Sequence, residues 1–85
     1  MTGYLVRIAL PDRPGALGLV ASRIGAVGGD IVAINILDRT AGNAVDEFEV
    51  ELGGEHLVEL LRSEIHEVDG VEVIDISPVP IAAVE

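Results

Sequence analysis

Four segments that read as strands enclose two that repeat at helical spacing, and their order along the chain leaves few folds open. Tyr4 to Leu10 alternates, with Val6, Ile8 and Leu10 on one face and Leu5, Arg7 and Ala9 on the other. From Pro14 to Val27 the apolar residues Leu17, Val20, Ala21, Ile24 and Val27 recur with a helical period, and Gly28-Gly29 ends the helix. Ile31 to Leu37, apolar on both faces except at Asn35, reads as a second strand. Turn residues fill Asp38 to Asn43, and Val45 to Leu52 then sets Phe48, Val50 and Leu52 against Glu47, Glu49 and Glu51, so these two strands should close a hairpin. After Gly53-Gly54, the residues Leu57, Leu60, Leu61, Ile65 and Val68 predict a second amphipathic helix. Asp69-Gly70 turns the chain into a last strand, Val71 to Ser77, expected to bury Ile74 and Ile76 on one face.

The order strand, helix, strand, strand, helix, strand predicts an α+β domain of ferredoxin-like βαββαβ type, a four-stranded antiparallel sheet with two helices on one face. The domain should span residues 1–77, leaving 78–85 as a C-terminal tail or linker stub. With 49% hydrophobic but only 2% aromatic residues, the core must be built from Val, Ile, Leu and Ala. A domain of 85 residues buries a thin core, so a partner surface would add stability.

Charge and composition exclude several classes of function. A formal charge of −10 repels a phosphate backbone, and no aromatic platform is available for stacking bases, so nucleic acid is not an expected partner. The absence of cysteine excludes disulfides, thiolate metal sites and a cysteine nucleophile. No apolar run approaches a membrane span, and Met1-Thr2-Gly3-Tyr4 carries no leader pattern, so a cytoplasmic protein without membrane contact is expected. His56 and His66 stand ten residues apart without metal-ligand spacing, and Ser22, Ser63 and Ser77 lack a nucleophile context. No catalytic residue, metal or cofactor is predicted.

The sheet order of this fold makes the second and fourth strands its edges. The fourth carries Glu72 and Asp75 and runs into Pro78, which discourages further pairing. Ile31 to Leu37 has no charge at all, and so predicts a homodimer through the second strand. The first helix adds Gly18, Ser22 and Gly25 along one stripe, where each glycine costs about 1 kcal/mol against alanine unless close packing compensates. Either the chain's own sheet or a second copy must approach there. On the outer face of the third strand, Glu47, Glu49 and Glu51 read as a solvated acidic row answered only by Arg7.

The candidate ligand site is the junction Leu10-Pro11-Asp12-Arg13-Pro14-Gly15-Ala16-Leu17-Gly18, where a strand end passes through a Pro/Gly turn into a helix. Asp12 or Arg13 can cap the helix, Pro14 suits its first turn, and Gly15 lets a ligand approach the backbone closely. Free N–H groups at such an end would hold a carboxylate or phosphate.

Asp12-Arg13-Pro14-Gly15-Ala16-Leu17 after a strand, then Gly28-Gly29-Asp30-Ile31, a hairpin, and Asp69-Gly70-Val71 before the final strand together resemble the ACT domain over residues 4–77. The resemblance implies the ferredoxin-like fold and a non-catalytic regulatory role: binding an amino acid or similar small ligand at the interface of paired domains. It also implies a metabolic enzyme, unidentified here, as a further partner. In a serine-sensing member of the family, the ligand lies between the turn of one copy and the start of the second strand of the other. Those positions are Asp12, Gly15 and, from the partner, Asp30. Two asparagines of that pocket are aspartates here, able to receive an ammonium group but not to donate to a carboxylate. Two alternatives remain: a dimerisation module of the same fold without ligand, and an acylphosphatase-type enzyme using Arg13 for phosphate and Asn35 for water, although its Gln-Gly-Val-x-Phe-Arg run is absent.

Overall fold

A computed structural model describes residues 2–80. Strand β1 (Thr2–Pro11) is followed by helix α1 (Ala16–Ala26), the hairpin β2 (Asp30–Thr40) and β3 (Asn43–Leu52), a 3-10 turn over Glu55–Leu57, helix α2 (Val58–Ile65) and strand β4 (Glu72–Pro78). The strands lie in the order β2-β3-β1-β4, each pair antiparallel, with both helices on one face, as the alternation predicted. Val6, Ile8, Val20, Ile24, Phe48, Val50, Leu52, Leu61 and Ile65 are fully buried between helices and sheet. The single phenylalanine therefore sits fully buried in a mostly aliphatic core, with Tyr4 as the other aromatic residue in it. No helix among the described residues is long and apolar enough to cross a membrane.

Close packing fixes the end of α1. A Cβ on Gly29 would lie 2.7 Å from the Ile24 Cγ2, 2.9 Å from the Ile24 carbonyl and 3.1 Å from the Val50 side chain, so only glycine lets the chain leave the helix this near to β3.

Several expectations are corrected. Asp38 to Thr40 belongs to β2, and the hairpin turns on only Ala41 and Gly42, whose φ values of 52° and 82° are those of a type I′ turn. Helix α1 buries Ala16, Val20 and Ile24, which leaves Leu17 at the rim and 40% exposed. In β4 the register against β1 shifts between Arg7 and Ile8, which pair with Asp75 and Val73. Ile74 is the extra residue of that bulge: it is 49% exposed, and Val73 occupies the buried position in its place. Leu60, expected to face the core, is 48% exposed. Beyond β4 the Val79 N–H donates to the Gly3 carbonyl at 2.9 Å, so sheet contact continues past residue 77. Residues 81–85 of the expected tail lie outside the described residues.

Strand β2 is interrupted twice: its register against β3 shifts between Ile31 and Ala33 and again between Ile36 and Asp38, leaving Val32 and Leu37 as extra residues. Its inward positions Ile34 and Ile36 extend beyond the helices and are 40% and 59% exposed.

Candidate functional site

The β1–α1 junction is a tight turn rather than a side-chain-capped helix start. The Ala16 N–H donates to the Arg13 carbonyl at 3.3 Å, which places Pro14 and Gly15 at the two central positions. Gly15 has φ 87°, and proline followed by a residue with positive φ is the signature of a type II turn. Neither Asp12 nor Arg13 caps α1: Gly15 occupies the cap position and no side chain bonds there. Pro14 precedes the helix instead of forming its first turn, and Ala16 buries its methyl group in the core. The reason Asp12 does not cap is that it is held elsewhere. Its N–H donates to the Gly42 carbonyl at 2.8 Å, and its carboxylate receives the Arg39 Nε at 3.1 Å and Nη2 at 3.0 Å. The first N–H groups of α1 are thus left without a side-chain cap.

Between this turn and β2 lies a recess of about 180 Å³. Pro11, Asp12, Arg13 and Leu17 form one wall and Ile36 and Arg39 the other, while Leu10, Ala44 and Asp46 line its base. Arg7, Arg23, Arg39 and Arg62 each pair with a carboxylate at 3.0–3.4 Å. Arg13 is the one arginine with no ion pair among the described residues.

Asp46 was not foreseen. It lies on the inward face of β3 opposite Ile8 and Ile36, is only 4% exposed, and its Oδ1 has no hydrogen-bond partner. Burial pushes its carboxyl above the ordinary aspartate range; the Asp12 charge pushes in the same direction and Arg39 opposes both. The signal was in the alternation of β3, where an aspartate takes the apolar phase between Ala44 and Phe48.

The turn residues Asp12, Arg13 and Leu17 thus converge on one recess, whereas Asp30 does not. It pairs with Glu51 at the opposite end of β2, about 30 Å from Arg39 in the same chain at strand rise. Asn35 faces the outer side of the sheet opposite Glu47, away from Arg13, so the arrangement an acylphosphatase would need is not assembled. A second, wider recess of about 560 Å³ lies at the far end of the domain between Tyr4, Val58 and Pro78; its charged lining, Glu55 and Glu59, is wholly acidic. No group of three or more His, Asp or Glu side chains among the described residues is placed to hold a metal ion.

No protein-family model and no curated protein matches the sequence. Solved structures do resemble it. The ACT domain from GTP pyrophosphokinase of Chlorobium tepidum is 15% identical with a TM-score of 0.68, over 92% of this chain and 97% of that one. An ACT domain protein from Streptococcus pneumoniae is 16% identical with a TM-score of 0.70, over 91% and 89% of the two chains. An unknown protein from Galdieria sulphuraria is 13% identical with a TM-score of 0.80 over 96% of this chain, which spans 47% of that protein. The chain has the fold of ACT domains.

Proposed function

We propose that this ACT-fold chain is a non-catalytic regulatory domain that binds an amino acid, or a small ligand of the same chemistry, where two copies meet. The observation that carries this reading is the position of the recess beside an uncovered apolar edge. Leu17, Ile34 and Ile36 are 40%, 40% and 59% exposed, and Leu17 and Ile36 are themselves recess walls, so a second copy laid along β2 would close the recess while burying them. The small-residue stripe of α1 supports the same surface. A Cβ on Gly18 or Gly25 would meet nothing within 4 Å, so the chain's own sheet offers no compensation for these glycines. Antiparallel pairing of two β2 strands centred on Asn35 would set Asp30 of the second copy opposite Thr40, next to Arg39 and the recess, as the family resemblance implies. The first N–H groups of α1, without a side-chain cap, and Arg13, without an ion pair among the described residues, provide the carboxylate end of such a site. Ligand binding would regulate by favouring one of two arrangements of the paired domains.

Thermal denaturation in the presence of each of the twenty amino acids tests the reading. A ligand at a hundred times its dissociation constant stabilises by about 2.7 kcal/mol, a shift of several degrees in a domain this small. A flat panel would favour the second reading, a dimerisation module of the same fold without ligand, which the exposed β2 edge supports equally.

A further inference from the structure

We propose that Asp46 is the group that holds an amino nitrogen in the recess beside the β1–α1 turn, so that this recess takes a zwitterionic α-amino acid with a short aliphatic side chain. This rests on the ligand-binding reading above and adds the residue that would select for an ammonium group.

A buried carboxyl oxygen without a partner is destabilising, and such groups are rare in folded proteins. Asp46 Oδ1 is the only buried side-chain polar atom left unpartnered among the described residues, and Asp46 lines the recess. The other acidic group there, Asp12, is already engaged by the fork of Arg39. That leaves Asp46 as the available acceptor, in place of the Asp12 that the sequence suggested. The same recess is lined by Arg13, whose guanidinium has no ion pair among the described residues. An unpartnered acid and an unpaired base lining one recess of about 180 Å³ complement a small molecule with opposite charges at its two ends. At about 180 Å³ the recess lies well below the roughly 300–1,000 Å³ of pockets for drug-sized ligands, which limits it to a small molecule. Apart from the Asp12–Arg39 pair, the remaining lining, from Leu10, Pro11, Leu17, Ile36 and Ala44, is apolar, which matches an aliphatic side chain. A purely anionic ligand would be opposed by Asp46 and Asp12.

The test uses L-valine and its 2-oxo acid, which share a carboxylate and side chain and differ in the ammonium group. Calorimetry on the wild-type protein should show L-valine bound about tenfold or more tightly than the oxo acid. Asp46→Asn should abolish that preference by weakening L-valine while leaving the oxo acid within about threefold. A second measurement needs no variant: in carbon NMR of the wild-type protein, the titration midpoint of the Asp46 carboxyl should fall when L-valine is added, because an adjacent ammonium favours the charged form. If Asp46→Asn keeps the wild-type preference, or the midpoint does not move at saturating L-valine, the assignment of Asp46 is overturned while ligand binding stands. If polar amino acids stabilise the protein and L-valine does not, the aliphatic class is overturned. If no amino acid stabilises it, the ligand-binding reading itself falls.

Discussion

Arg39 reaches across β3 to grip Asp12, with Nε at 3.1 Å and Nη2 at 3.0 Å from the carboxylate, and so joins β2 to the residue just after β1, a strand with which β2 shares no ladder. The neighbour it passes over is Ala44, its register partner on β3, and a larger side chain there would block a reach of two strand spacings, about 10 Å. The pair ties the strand before the turn to the free edge strand and keeps Asp12 from the end of α1.

Both partners are solvent-exposed, with 61% of the Arg39 and 36% of the Asp12 side chain accessible, so the pair should contribute little to stability. Arg39→Ala should lower the unfolding free energy by less than about 1 kcal/mol, and the difference should shrink in high salt. Urea unfolding at two ionic strengths measures both. A larger, salt-insensitive loss would mean that the arginine stem, not its charge, holds the edge strand in place.

Asp46 should make stability depend on pH. Because burial raises its carboxyl in the folded state, the folded protein binds that proton more tightly than the unfolded chain does. The associated stability is complete below the ordinary value of 3.8 and is lost as pH rises through the raised folded value. Asp46→Asn has no such proton, so its stability relative to wild type should improve as pH rises from below 3.8 through the raised folded value. Denaturant unfolding of the two proteins across that range reads the effect, and a constant difference would contradict it.

Gly18→Ala and Gly25→Ala separate the helix from the interface. With open space around both positions, each should stabilise the isolated chain by up to about 1 kcal/mol through helix propensity. If α1 packs against a second copy, the same changes should weaken association. Unfolding at low protein concentration and sedimentation over a concentration series report the two effects separately, and a dimer unaffected by either alanine would place the interface elsewhere.

Ile36→Lys and Ile74→Lys form a matched pair. The two isoleucines are 59% and 49% exposed on opposite edges of the sheet, so neither change should cost much folding stability. Only Ile36→Lys should reduce dimerisation, because a lysine on β2 blunts the proposed pairing edge. Light scattering of both variants decides it, and equal behaviour would argue against the β2 edge.

Much of the architecture was legible because local signals agreed with it. The phase of Val6, Ile8 and Leu10, the glycine pair after α1 and the hairpin between two strand segments joined by turn residues all reflect short-range geometry. The errors trace to contacts between residues distant in the chain. Asp12 looked free to cap because its partner, Arg39, lies 27 residues away and reaches it only once the β2–β3 register is set. Ile74 looked buried because strict alternation cannot anticipate the bulge that gives its place to Val73. Asp46 was visible as a break in the pattern of β3, but what it faces depends on β1, β2 and the turn together.

The two register shifts of β2 bear on how many neighbours this edge can accept. An apolar stretch such as Ile31 to Leu37 is the kind of surface on which strands stack without limit, and ordered stacking of that kind draws on segments of about six residues in unbroken ladder. Between the shifts at Val32 and Leu37, only Ala33 to Ile36 keep a regular register. Strand β2 is thus kinked on both sides of its stickiest residues, and that shape suits one complementary copy while denying a template to fibrillar growth.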